Sequence, residues 1–235
     1  MELNRRRFIA SGLTASLAFS LPSLRAEEKS STPPAKPTAR PQPQDLELVR
    51  SFVIAGHGNL PKVQELLAQD PKLVFAAWDW GAGDWETALQ GASHLGNRGL
   101  ASYLLSQGAR IDAFSAASLG HRKVVMALLE AEPSTATARG PHGLTLLYHV
   151  AISGDVEVAK VIQPLLPADA ALYNRALEAA VRDGRLPMTK WLLENGVTDP
   201  NVPDFYKKTP LKVAREKGFT DVADELRRHG GRESL

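Results

Sequence analysis

The sequence predicts an all-α protein, a solenoid of about six stacked helix-turn-helix units, and three observations carry that expectation. Glycine stands at 58, 96, 120, 154, 184 and 218, each time at the same place in a recurring phrase. Four, five, eight and nine positions after each glycine the residues are mostly apolar, as in Val124, Val125, Leu128 and Leu129 after Gly120. At about 100° per residue those offsets fall within an arc of roughly 140°, one face of an α-helix. A second glycine follows in three units, at 108, 196 and 230, where a helix C-terminus takes a left-handed residue that glycine adopts without strain at Cβ.

Residues 1–26 are a different text. Arg5, Arg6 and Arg7 precede an uncharged stretch from Phe8 to Leu21, then Pro22 and the small residue Ala26. This is the form of a targeting segment, and its apolar run is shorter than the roughly 20 residues needed to span a bilayer. Asn4 to Ile9 resemble the S/T-R-R-x-F-L core of the bacterial twin-arginine export signal, with Arg5, Arg6 and Phe8 at matching positions. Asn4, Ile9 and Ala10 depart from that pattern. The resemblance implies transient use of the twin-arginine translocon and a periplasmic or otherwise exported bacterial protein. An ordinary secretory signal is the alternative, and both lead out of the cytoplasm. Leu24 stands where a cut after Ala26 prefers a small residue, so an uncleaved signal is the one membrane contact expected. The chain has no cysteine, which excludes a lipoprotein anchor and a disulfide framework.

Residues 27–44 hold Pro33, Pro34, Pro37, Pro41 and Pro43 among polar residues, the composition of an extended, disordered spacer. The whole chain is formally +2, with 28 bases and 26 acids. Residues 1–26 take four of those bases and one acid, leaving 24 against 25, so the processed protein is close to neutral. No basic stripe remains, and no nucleic-acid partner is expected. Arg227, Arg228 and Arg232 lie in the last unit, where a stack needs a polar outer face.

The units themselves occupy 45–231, followed by a short tail at 232–235. Their apolar phrases read Val63, Leu66, Leu67; Leu100, Ala101, Leu104, Leu105; Val158, Ala159, Ile162; Met188, Leu192, Leu193; and Val222, Ala223, Leu226. Thr209, Pro210 and Leu211, followed by Ala214 and Gly218, resemble the T-P-L-x-x-A-x-x-x-G phrase of ankyrin repeats. Thr87, Leu89, Ala92 and Gly96 match it less fully. Gly108, Ala109 and Asp112 resemble the ending of such a repeat, and Gly120 with His121 its central Gly-His, where the imidazole can bond to nearby backbone. The period near about 33 agrees. The resemblance implies an ankyrin-type solenoid with hairpin fingers that recognises protein without a reaction. A tetratricopeptide array or a plain bundle would show paired amphipathic helices too, but neither explains glycine at both turns and Thr-Pro at a helix start.

In such a stack the interval between anchor glycines reports finger length. The intervals run 38, 24, 34, 30 and 34, so the first finger is long and the second almost absent. The long finger carries Trp78, Trp80 and Trp85 with Asp79 and Asp84 beside them and Gly81 and Gly83 at its tip. Tryptophan is strongly over-represented at interface hot spots. These five residues, with Phe205 and Tyr206 of a later finger, are therefore the candidate protein-binding residues, next to a notch left by the missing finger. Strand alternation would place Trp78 and Trp80 together and Asp79 opposite, which suits packing against the first two units equally well.

Chemistry has few candidates. The six histidines occur singly at 57, 94, 121, 142, 149 and 229, without an H-E-x-x-H motif or a pair at i, i+4, so no metal site and no cofactor are expected. Asp79 and Asp84 lack the further carboxylates of a calcium loop. No G-x-S-x-G elbow or phosphate cradle is present. The leading expectation is a non-catalytic module with an unidentified protein partner. The alternative is a small-ligand or enzymatic protein that uses the notch, with Asp79, Asp84 or His94 facing the ligand.

Overall fold

The computed structural model describes residues 42–234, so the predicted export signal with Arg5, Arg6 and Phe8 lies outside the described residues, as does nearly all of the predicted spacer. Within them the chain is mostly helical. Twelve α-helices follow one another: α1 (Leu46–Gly56), α2 (Leu60–Gln69), α3 (Ala88–His94), α4 (Arg98–Ser106), α5 (Ala113–Leu119), α6 (Arg122–Ala131), α7 (Leu146–Ser153), α8 (Val156–Ile162), α9 (Ala170–Arg182), α10 (Leu186–Asn195), α11 (Pro210–Glu216) and α12 (Thr220–Arg228). One short antiparallel hairpin interrupts them, β1 (Ala77–Asp79) with β2 (Trp85–Thr87).

Short polar side chains start most of these helices. Asp45, Asn59, Thr87, Asn97, Asp112, Thr145, Asp155, Asp169 and Thr209 each accept a bond from a backbone N–H of the first turn. These satisfy donors that a helix N-terminus leaves without an internal partner. Thr87 goes further and forms a reciprocal capping box with Gln90. At Thr209 the cap precedes Pro210 at the first helical position, as the sequence pattern predicts.

The helices pack in consecutive pairs, and the first helices form a row in which α1 meets α3, α3 meets α5, α5 meets α7, α7 meets α9 and α9 meets α11. The second helices α6, α8, α10 and α12 touch in the same order. Between the rows the apolar phrases close into two clusters. One runs from Val49 to Leu104 and the other from Ala116 to Leu226. They part where the second finger is missing: from Gly108 the chain runs directly to Asp112, which caps α5.

The predicted core face differs in one helix. In α6, Val125 and Leu129 are buried, whereas Val124 and Leu128 remain 39% and 37% exposed. The buried seam is centred on the i, i+4 pair, and a residue one position earlier stands about 100° round the helix, at its rim. His121, expected to bond to backbone beside its glycine, makes no capping bond.

The anchor glycines also divide. Gly96, Gly120, Gly154, Gly184 and Gly218 have positive φ, but Gly58 does not. At 96, 120, 184 and 218 the next residue's N–H reaches back five residues, for example Phe219 N to Ala214 O at 2.9 Å, the closure of a Schellman turn. After α1 the corresponding bond, Asn59 N to Ala55 O, reaches back only four, and no left-handed residue is required. A Cβ at Gly58 or at Gly218 would meet nothing within 4 Å, so the two sites differ in backbone alone. Gly218→Ala is therefore expected to destabilise the protein by about 1 kcal/mol, and Gly58→Ala to change stability by less than about 0.5 kcal/mol. Urea unfolding of the two variants checks this, and equal losses would contradict it.

Candidate functional site

The β1–β2 hairpin is the long first finger. Trp78 pairs across it with Glu86, and the tip turns through Gly81, Ala82 and Gly83, all at positive φ. A shorter finger stands at Arg139–Thr145, joined by a bridge between those residues, with His142 held in the left-handed region at φ 58°. Because the finger between them is missing, these two meet directly. The Asp84 carboxylate accepts the His142 backbone N–H at 2.7 Å and lies 3.1 Å from His142 Nδ1.

The candidate binding residues take separate places. Trp78 is half-buried against the N-terminal core, with the Arg50 guanidinium 6.0 Å from its ring centre. Asp79 accepts the Gly81 N–H and shapes the tip. Trp80 donates its indole N–H to Glu86 Oε2 at 2.7 Å. Asp84 is the clasp to His142, so Asp79 and Asp84 each serve the finger itself. Trp85 is largely exposed and borders a notch of about 460 Å³ between the two fingers, with Phe114 and Arg139 on its other side. Phe205 and Tyr206 are 86% and 77% exposed and pack edge to face on each other, 5.5 Å between centroids.

Linear reading of the histidines missed what lies under the first finger. Glu86 is fully buried, and three imidazoles surround it. His57 Nε2 is 3.2 Å and His142 Nε2 3.4 Å from Glu86 Oε2, and His94 Nε2 is 3.0 Å from Glu86 Oε1. His57 follows α1, His94 ends α3, Glu86 points inward from β2, and His142 comes from the shorter finger. Residues 8 to 85 positions apart thus converge because α3 stacks on α1 and the fingers fold over both. One signal was present in the sequence: Glu86 alternates with exposed Trp85, which puts a carboxylate on the inner face of the strand.

The electrostatics follow from burial. Desolvation works against a charged Glu86, but the close imidazoles of His57 and His94 outweigh it and hold the carboxyl well below the usual range. The Glu86 contact in turn raises His57, whereas burial lowers His94. The cluster therefore divides its histidines between one that favours the proton and one that resists it.

Next to the cluster a cavity of about 440 Å³ opens on the side of the first helices. His94, His142, Tyr148, Arg182, Phe205 and Tyr206 are among the residues that line it. Arg182 donates to the Tyr148 hydroxyl at 3.0 Å and to the His94 carbonyl at 2.9 Å, while its buried Nε has no partner. The cavity thus combines apolar walls with charged groups of both signs, since Arg175, Glu178, Asp204 and Lys208 line it as well as Arg182.

No family model matches the chain. It is similar to a transient receptor potential cation channel subfamily A member 1 homolog of Caenorhabditis elegans, 33% identical over 107 residues. That stretch is 43% of this chain and 9% of the other, so the chain spans less than a tenth of that relative's length.

A further histidine sits inside the stack. His149 is 1% exposed, its Nδ1 is 2.9 Å from the Ser118 hydroxyl, and burial pushes its pKa down to about 3, with the charges of His94 and Arg182 acting the same way. An unfolded histidine titrates near about 6.5. Between these values the unfolded chain binds the extra proton, so this residue's contribution erodes as pH falls below 6.5. From pH 6.5 to 5 the loss amounts to about 2 kcal/mol. His149→Gln is expected to unfold with a shallower dependence on pH across that window, measured by urea denaturation, and an unchanged slope would contradict the assignment.

Proposed function

We propose that residues 45–231 are an ankyrin-type solenoid of six helix-turn-helix repeats, exported from a bacterial cytoplasm, that binds a protein partner without catalysing a reaction. The row of first helices, the row of second helices, the left-handed glycine turns and the Thr-capped starts at 87 and 209 support the repeat reading. The partial similarity to the channel homolog points the same way. Stacked repeats present an extended concave surface, and partners of such surfaces are held by side chains that already stand in place.

The observation that carries the binding reading is the pair Phe205 and Tyr206, almost fully exposed beside a cavity that combines apolar residues such as Leu144, Val181 and Val213 with charged ones, Arg182 among them. Two large rings standing in water on one wall of a groove gain the most by being covered. We assign the groove to a protein segment that places an apolar side chain in the cavity, with Trp85 on the neighbouring rim extending the contact. Phe205→Ala with Tyr206→Ala, both surface changes, is expected to lower recovery of partners from an envelope fraction about tenfold or more relative to the unchanged domain. Equal recovery by a folded variant would remove these rings from the interface.

The cavity volume also falls in the range typical of small-ligand sites, which supports a second reading, a small molecule held against Arg182. Mass spectrometry of the purified protein after denaturation separates the two, since a stoichiometric small molecule released on unfolding favours the ligand.

Export is proposed on Arg5, Arg6 and Phe8. Replacing Arg5, Arg6 and Arg7 by lysine is expected to retain the protein in the cytoplasm. Unchanged periplasmic recovery on cell fractionation would count against the twin-arginine route.

A further inference from the structure

We infer that His57, Glu86, His94 and His142 form a binding site for a divalent transition-metal ion, with zinc the first candidate. This reading is independent of the partner-binding proposal and differs from what the linear spacing of the histidines implies.

The geometry comes first. One ligand atom from each of the four residues lies within 4.8 Å of every other. In a tetrahedral zinc site with bonds of about 2.0 Å, ligand atoms sit about 3.3 Å apart. The Glu86 oxygens are 3.0, 3.2 and 3.4 Å from the three imidazole Nε2 atoms, so the shell is already close to that size on this side. The rings surround the carboxylate, with centroid separations of 5.2 Å for His57 and His94, 5.4 Å for His94 and His142, and 6.4 Å for His57 and His142.

The second observation is a pair of buried atoms without partners. Glu86 Oε1 and His94 Nε2 are 3.0 Å apart, yet neither makes a hydrogen bond. Both residues are buried, Glu86 completely. Buried polar atoms are almost always satisfied, and two that approach each other but are misaligned are placed to converge on a shared third atom. A metal ion between them would satisfy both.

The outer contacts point the same way. His57 Nδ1 lies 3.0 Å from the Val53 carbonyl, and His142 Nδ1 lies 3.1 Å from the Asp84 carboxylate. An acceptor at Nδ1 holds the proton on that nitrogen and turns the Nε2 lone pair toward the centre, the arrangement that metal-bound imidazoles use. The Trp80 indole N–H fixes the other carboxylate oxygen at 2.7 Å. A buried carboxylate that needs only neutralising is served by one protonated imidazole. Three imidazoles with two of them oriented from outside exceed that need and match a nitrogen-rich coordination shell.

The donor set selects the ion. Three imidazoles and one carboxylate, with no thiolate, suit zinc, cobalt, nickel or copper, whereas calcium and magnesium require oxygen ligands. Four protein ligands fill a tetrahedral shell, which is the form of a structural rather than a catalytic site. The ion would tie α1, α3 and both fingers together across the gap left by the missing finger. His142, the most exposed of the four, gives the ion its way in.

The test uses the full chain freed of metal with a chelator and then dialysed. Titration with Zn²⁺ by calorimetry is expected to show one equivalent bound, and Co²⁺ to give the intense visible bands of tetrahedral coordination, displaced by Zn²⁺. His142→Ala, on an exposed finger, should weaken Zn²⁺ binding about tenfold or more without loss of helical signal. His57→Ala should do the same, and His121→Ala, outside the cluster, should change nothing. Glu86→Gln tests the carboxylate if it folds, and the exposed His142 variant decides the matter if it does not. Absence of bound Zn²⁺ and of Co²⁺ bands in the folded chain, or binding unaffected by His142→Ala and His57→Ala, would overturn the proposal.

Discussion

Helices of seven to thirteen residues cannot hold themselves together in water, and every other feature of this protein depends on that constraint. Each helix must be covered on its apolar face by neighbours, so α3 requires α1 and α5 as much as its own sequence. The outcome is two rows of helices with the buried phrases between them, from Val49 to Leu226. Local devices then set where each helix begins and ends: Asp, Asn or Thr at most starts, and left-handed glycine at most first-helix ends. Those devices contribute about 1 kcal/mol each, small beside burial but sufficient to place the turns.

Stacking alone would make every position equivalent. The missing second finger breaks that regularity, and the consequences collect in one place. The two core clusters part there, the long first finger reaches the Arg139–Thr145 finger through Asp84 and His142, and the carboxylate of Glu86 is sealed beneath them. A buried carboxylate without compensation would cost several kcal/mol. His57, His94, His142 and the Trp80 indole supply that compensation from three helical units, so the fingers and the first two helix pairs are held by one polar centre. The groove begins where this centre ends, since His94 and His142 belong to both.

The tryptophans illustrate how position changes a role. Trp78, Trp80 and Trp85 lie within eight residues, and composition treats them alike. In the structure Trp78 belongs to the core edge, Trp80 donates a hydrogen bond to Glu86 while 38% exposed, and Trp85 faces solvent most fully at 59% exposure. The hairpin register decides this, because strand pairing sets which rings turn inward.

Helix content, the pairing of helices, the capped starts at Thr87 and Thr209 and the missing second finger were legible in the sequence, because each rests on interactions within about a dozen residues. The exceptions were local as well: Gly58 shares the motif of the other anchors but not their backbone, since its turn closes four residues back. Val124 and Leu128 fit the apolar phrase yet lie at the rim, because a phrase names a face and packing names its centre. The histidine cluster was illegible for a different reason. His57, Glu86, His94 and His142 span 86 positions, and no spacing rule connects them. Only the stacking of α3 on α1 and the folding of two fingers over both bring four donors around one point. Short-range physics is written along the chain, whereas the polar centre exists only where distant segments are pressed together.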